Sequence, residues 1–267
     1  MKNPTSPQPE AFITGASSGL GALFARQLAA EGYALVLTAR RQANMEALAS
    51  EIQEKYPVPI EIIPADLTLK EDQDSLVHRI GQLERLALLI NNAGFSTVGK
   101  YSRVLPEKHV NMLNVHLMAT IRLTRAAIPG MISRGNGGVI NVSSMAAFFP
   151  LPGSVSYCAT KAALVAFSKT LAFELEGSGV KVQALCPGFV YTELHETSEY
   201  RLIGRSRIPK LMLRPAEPVI LASLRALRRG QVICIPGRLN QLLSFFGRND
   251  IFLPFVKIVV RMFFSRK

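Results

Sequence analysis

The sequence predicts an α/β protein: a doubly wound parallel sheet with helices on both faces. Three observations point there. Short, continuously apolar runs alternate with stretches of helical periodicity, as expected of strands buried on both faces. A glycine-punctuated turn follows the first apolar run. The 267 residues are 48 % hydrophobic, enough for one large core and too apolar for disorder.

The elements follow in order. Residues 11–14 (AFIT) read as a buried strand, and the helix after TGASSGLG ends at Gly32. Strands follow at 33–39, 60–65 and 86–91, with helices at 44–56 and 70–83 between them. A helix over roughly 111–132 precedes a strand at 137–144, a long helix at 156–177 and a strand at 180–188. Each crossover between parallel strands is expected to be right-handed. Residues 1–10 read as a flexible arm without the apolar region of a signal peptide. Residues 11–237 form the single domain, with a variable substrate lid at about 193–216, and 238–267 form a basic, apolar C-terminal helical extension.

Charge is unevenly placed. Residues 1–200 balance, with 17 basic and 17 acidic side chains. Residues 201–267 hold 14 Lys and Arg against Glu217 and Asp250, so the whole net charge of +12 lies in the last quarter. That asymmetry suggests an anionic surface, substrate or partner. No stacking-aromatic platform or reading motif accompanies it, which argues against nucleic acid. Cys158, Cys186 and Cys234 have neither paired nor metal-ligand spacing, so no metal is expected and reduced thiols suggest a cytoplasmic protein.

Thr14, Gly15, Gly19 and Gly21 form TGxxxGxG between the first strand and the first helix. Glycine allows the tight turn, and a helix N-terminus offers free N–H groups to a phosphate. Alone this is an ordinary strand–helix turn; opening a βαβ run, it reads as a dinucleotide site. An acid at the end of the second strand would suit the 2′-hydroxyl of NAD. The sequence has LTARR instead, so Arg40 and Arg41 suit the 2′-phosphate of NADP(H), unless they are a solvated pair.

Tyr157 and Lys161 stand four residues apart and share a helix face. A neighbouring ammonium favours the phenolate of a tyrosine, whose free pKa is ~10, and prepares it for proton exchange. YxxxK alone is a common surface pair; with the glycine loop it reads as an acid–base site.

TGASSGLG, ADL (65–67), NNAG (91–94), VSS (142–144), YCATK (157–161) and PGFVYT (187–192) occur in one order over residues 11 to about 192. In these the chain resembles the short-chain dehydrogenase/reductase family, with its Rossmann-like fold. The resemblance implies the following roles. Ser144, 13 residues before Tyr157, holds the substrate oxygen in preference to Ser143. Tyr157 is the acid in reduction and the base in oxidation, and Lys161 binds the nicotinamide ribose and lowers the tyrosine pKa. Gly15, Ser17, Ser18, Gly19, Leu20 and Gly21 cradle the cofactor. Asp66 meets the adenine with Leu67 supplying backbone, Asn92, Ala93 and Gly94 line the cleft, and Pro187, Gly188, Val190 and Thr192 receive the nicotinamide.

One position departs from the family. Many members carry a fourth catalytic residue, an asparagine on the helix at 111–132. Aligning Val115, Thr124 and Pro129 puts His116 there, with Ala119 in place of a glycine. Asn114 lies roughly 200° around the helix and does not substitute. His116 reads either as a satisfied core histidine or as the catalytic-tetrad member, with an altered pH dependence because histidine titrates near neutrality.

Beyond Thr192, residues such as Leu194, Tyr200, Leu211 and Met212 either wall an apolar pocket or form a surface helix, and Arg205, Arg207 and Lys210 either meet an anionic group or are solvated. The segment from GQVICIPG onward is expected to lack the family's closing strand, and its apolar, basic tail suits a peripheral membrane contact, a pocket roof or a self-association seam. The reading is an NADP(H)-dependent oxidoreductase and likewise a homo-oligomer, acting on a small apolar carbonyl or alcohol that a carrier or coenzyme A can hold. The rival is a non-catalytic dinucleotide-sensing or membrane-associated protein on the same fold.

Overall fold

The computed structural model describes residues 8–190 and 215–252, with 254, 257 and 258 beyond them. Seven parallel strands form one sheet in the order β3-β2-β1-β4-β5-β6-β7. They are β1 (Glu10–Thr14), β2 (Ala34–Ala39), β3 (Ile60–Pro64), β4 (Leu86–Asn91), β5 (Gly137–Val142), β6 (Val180–Leu185) and β7 (Ile233–Cys234). The central strands are mostly apolar because alternate side chains enter opposite cores, while the edge strand β3 is only half-buried and carries Glu61. In β1, Ala11 and Ile13 enter one core while Phe12 enters the other. In β5, Ile140 and Val142 enter the first and Val139 the second.

The first core is closed by α1 (Gly19–Ala30), α2 (Gln42–Gln53) and α7 (Ala216–Arg228), through Phe24, Leu28, Met45, Ile52, Ile220 and Leu224. The second is closed by α3 (Lys70–Gly81) and α5 (Ala119–Ser133), through Leu76, Ile80, Leu123 and Met131, with α6 (Val155–Glu174) packed against β6. Strand order reverses between β1 and β4, which opens a crevice at the carboxyl ends of these strands.

The expected helix at 111–132 begins earlier and is interrupted. α4 (Pro106–Leu113) starts with proline at its first turn, where the missing N–H costs nothing. One π-turn, Asn114–Met118, then carries His116 before α5 continues. Periodicity cannot reveal such a turn, because the chain stays helical on both sides. α7 has apolar or small buried residues at 216, 219, 220, 223, 224 and 227, a helical stripe that the expected lid partly overlaps. The expectation of no closing strand is corrected: Ile233–Cys234 pairs in parallel with Ala184–Leu185. Two residues are too few to show periodicity, so the neighbouring strand decides it. α8 (Arg238–Arg248) follows.

Below the crevice a buried polar chain ties four elements together. The Asn91 carboxamide donates to Thr124 Oγ1 and Asn141 Oδ1, and Asn141 donates to Ser168 Oγ. Buried amides are costly unless bonded, and these bonds tie β4, β5, α5 and α6 together, although the buried Asn91 Oδ1 itself has no partner.

Candidate active site

The glycine turn is built by close approach. Gly15 and Gly19 have φ of +65° and +57°, where other residues strain. A methyl group on Gly21 would lie 2.3 Å from the Gly15 carbonyl oxygen, so only glycine lets α1 start this near the loop. The Asn92 carboxamide donates to the carbonyls of Thr14 and Gly15, at 2.9 and 3.1 Å. Thr14 Oγ1 accepts the N–H groups of Asn92 and Ala93, both at 3.0 Å. Asn92 thus fixes the cleft by holding the turn. Thr14 does the same from the other side, a role the sequence reading did not assign to its hydroxyl.

Ser17 and Ser18 lie on this turn, and no side chain caps α1 at Ser18. The first-turn N–H groups of α1, which includes Leu20, carry the positive end of the helix dipole. Arg41 reaches across from the end of β2, its guanidinium donating to Ser17 Oγ at 3.1 and 3.2 Å and to Ser18 Oγ at 2.5 Å. Arg40 is exposed and stands 3.9 Å from the Asp66 carboxylate. Asp66 Oδ1 accepts from the N–H and hydroxyl of Thr68, while the buried Leu67 gives its carbonyl to Gln73.

The ends of β5 and α6 meet on the far side of the crevice. The Ser143 hydroxyl donates to the Lys161 carbonyl at 2.7 Å and is spent on structure. Ser144 caps the turn Met145–Ala147, accepting the Ala146 N–H at 3.1 Å, and that turn packs on α6. Accepting leaves the Ser144 hydroxyl its own proton to donate.

Lys161 is buried, its Nζ 2.8 Å from the Val142 carbonyl and 5.6 Å from the centre of the Tyr157 ring. Burial lowers its pKa to about 8, because an ammonium loses hydration there. Pro187 and Gly188 follow β6, the Pro187 carbonyl accepts the Met145 N–H at 2.9 Å, and Val190 sits in the first core. Thr192, and the lid from 193 as far as 214, lie outside the described residues.

His116 is 1 % exposed. Its Nε2 accepts the Phe95 N–H at 3.1 Å, so Nδ1 carries the proton. Nδ1 faces Thr160 Oγ1 at 2.9 Å, and the Thr160 hydroxyl donates to the Tyr157 carbonyl, also at 2.9 Å. The imidazole meets Phe95 and Tyr157 edge-on, with ring centroids 5.9 Å apart in both pairs. A methyl group on Gly94 would touch His116 Nε2 at 2.9 Å, with Lys161 Nζ 3.6 Å away. Burial, then the Lys161 charge, push the His116 pKa well below its ordinary value, so the ring is neutral near pH 7. The expectation that it titrates near neutrality is thereby corrected. Thr160, inside YCATK, escaped the sequence reading because its contribution depends on the histidine opposite.

A glycine turn opening the first helix at the switch point of a doubly wound parallel sheet is the architecture of Rossmann-like dinucleotide-binding folds. The short chain dehydrogenase family model matches residues 10–201, and the chain belongs to that family. A very-long-chain 3-oxoacyl-CoA reductase of Macaca fascicularis is 34 % identical over 188 residues, which is 69 % of this chain and 60 % of that protein. A short-chain dehydrogenase of Sphingobium yanoikuyae in complex with NADPH superposes with a TM-score of 0.81 at 30 % identity, covering 92 % of this chain and 95 % of that one. A bulky-bulky ketone specific alcohol dehydrogenase of Comamonas testosteroni gives 0.78 at 30 % identity, over 90 % and 92 %.

Proposed function

We propose that the protein interconverts a carbonyl and a secondary alcohol on an apolar substrate, using NADP(H), with Ser144, Tyr157 and Lys161 as its catalytic residues. The carrying observation is the joining of the ends of β5 and α6. The Ser143 hydroxyl bonds the α6 backbone at Lys161 and the Lys161 ammonium bonds the β5 backbone at Val142, which supports a site shared by Ser144, next in the chain, and the helix of Tyr157 and Lys161. The donor set fits the cofactor: uncapped N–H groups at α1, the hydroxyls of Ser17 and Ser18, and the Arg41 guanidinium, which suits a phosphate dianion. Asp66, Leu67, Asn92, Ala93, Gly94, Pro187, Gly188, Val190 and Thr192 complete its binding site. The nicotinamide supplies or accepts the hydride.

The protein's own residues handle the proton. Ser144 Oγ donates to the substrate oxygen and fixes it. In reduction the Tyr157 hydroxyl gives its proton to that oxygen as negative charge builds there, and the Lys161 ammonium stabilises the phenolate left behind. In oxidation the phenolate takes the proton back. His116, neutral and bonded at both nitrogens, holds α6 through Thr160 and the loop after β4 through Phe95. That makes it a positioning residue.

The named relatives act on a 3-oxoacyl-CoA and on bulky ketones, which supports an apolar carbonyl, free or thioester-linked, as the substrate class. Val110, Leu113, Met118 and Ile121 stand exposed along α4, the π-turn and α5, and support self-association. NADPH oxidation against a panel of hydrophobic ketones and 3-oxoacyl thioesters tests the reading. Turnover is expected, and Tyr157→Phe lowers it by roughly a hundred- to ten-thousand-fold. NADPH binding with no turnover of any carbonyl would favour the non-catalytic alternative.

A further inference from the structure

α8 turns part of its apolar surface outward. Its two buried residues are polar, Asn240 and Ser244, and Leu239, Leu243 and Phe246 are half-buried, whereas Leu242 and Phe245 are 57 % and 58 % exposed. The buried side sits on the active-site loops. The Asn240 carboxamide lies against Gly188, where a methyl group would come within 2.7 Å, and bonds the Pro236 carbonyl at 2.8 Å. Gly247 lies against the Phe148 carbonyl and the Phe149 ring, and the Arg248 guanidinium stacks on Phe148 at 4.5 Å. The helix therefore covers the loops after β5 and β6 and turns apolar side chains outward. Ile251 and Ile258 extend that surface at 83 % and 58 % exposure, and Phe245 contacts Phe246 and Phe252 edge-on or tilted. Arg238, Arg248 and Lys257 are exposed among these apolar residues, in the quarter of the chain that carries the whole net charge.

We infer that this face docks on an anionic lipid surface, which brings the substrate side of the active site against the bilayer. Exposed Leu, Phe and Ile enter the headgroup–acyl boundary while the basic residues meet lipid phosphates. Among the described residues no helix is long and apolar enough to cross a membrane. The charge selects lipid over a second copy of this chain, since an isologous seam here would set like charges against each other. The inference deepens the proposed function, in that an apolar substrate dissolved in the bilayer would enter beside α8.

The test is flotation of the full chain with phosphatidylcholine vesicles, with and without phosphatidylglycerol, alongside turnover of a water-soluble ketone in the same samples. Binding is expected on the anionic vesicles, weaker on the neutral ones, and falling with salt. Leu242→Ser and Phe245→Ser each weaken it about tenfold by removing buried apolar area, while soluble-ketone turnover and cofactor binding stay unchanged. Equal flotation of wild type and the double variant, or no flotation of wild type on anionic vesicles, overturns the inference. So does a double variant that only changes subunit number, which would identify a second copy as the occupant. Lipid binding without ketone turnover leaves docking in place and refutes the catalytic reading instead.

Discussion

Replacing His116 by asparagine removes a neutral imidazole and leaves a side chain that does not titrate. In the native protein the ring is held neutral by burial and by Lys161, while in the unfolded chain it takes up a proton below about its ordinary value of 6.5. Stability rises with pH wherever the unfolded state binds more protons. The histidine's share is therefore complete above about pH 6.5 and is lost as pH falls from there toward the depressed native value. The loss approaches about 1.4 kcal/mol per pH unit. At neutral pH the variant loses the fit to the Phe95 N–H and Thr160 Oγ1, at a cost of about 1–3 kcal/mol. Urea unfolding at about pH 7.5 and about pH 5.5 measures both terms. The wild-type advantage should shrink by about 1.4 kcal/mol at the lower pH. The turnover pH profile should keep its shape in the variant, because no proton leaves or enters the ring. An advantage equal at both pH values would show that His116 is not neutral in the native state and would refute the assignment.

Two further outcomes follow from the same geometry. Arg41→Glu should cut the preference for NADPH over NADH by about ten- to a hundredfold in kcat/KM, the worth of a charge-assisted bond, since it puts a carboxylate beside Ser17 and Ser18. Lys161→Met should abolish turnover yet raise thermal stability of the cofactor-free protein at neutral pH. The buried ammonium, at about 8 against an ordinary 10.5, costs at most about 3 kcal/mol there, partly offset by its bond to the Val142 carbonyl. The unfolded chain keeps that proton between the two values, so the gain should fade as pH rises through this window.

Local pattern and spacing made most of the sheet and much of the candidate site legible. Apolar runs such as LALLIN encode a strand because both of its faces are buried, and the glycines at 15, 19 and 21 encode a turn because larger side chains do not fit. Tyr157 and Lys161 share a face by helical arithmetic alone. The residues that escaped are those whose meaning lies across the fold. The π-turn at 114–118 has no periodic signature, and the two-residue β7 exists only because β6 offers it an edge. Sequence could place His116 on the right helix. It could not say that Phe95 and Thr160 occupy both ring nitrogens, nor that burial beside Lys161 keeps the ring neutral, because a pKa belongs to an environment. The basic, apolar character of α8 was likewise plain in its composition. Which of its faces turns outward was settled by Asn240 and Gly247 packing on distant loops, because burial is a property of the neighbours a helix finds.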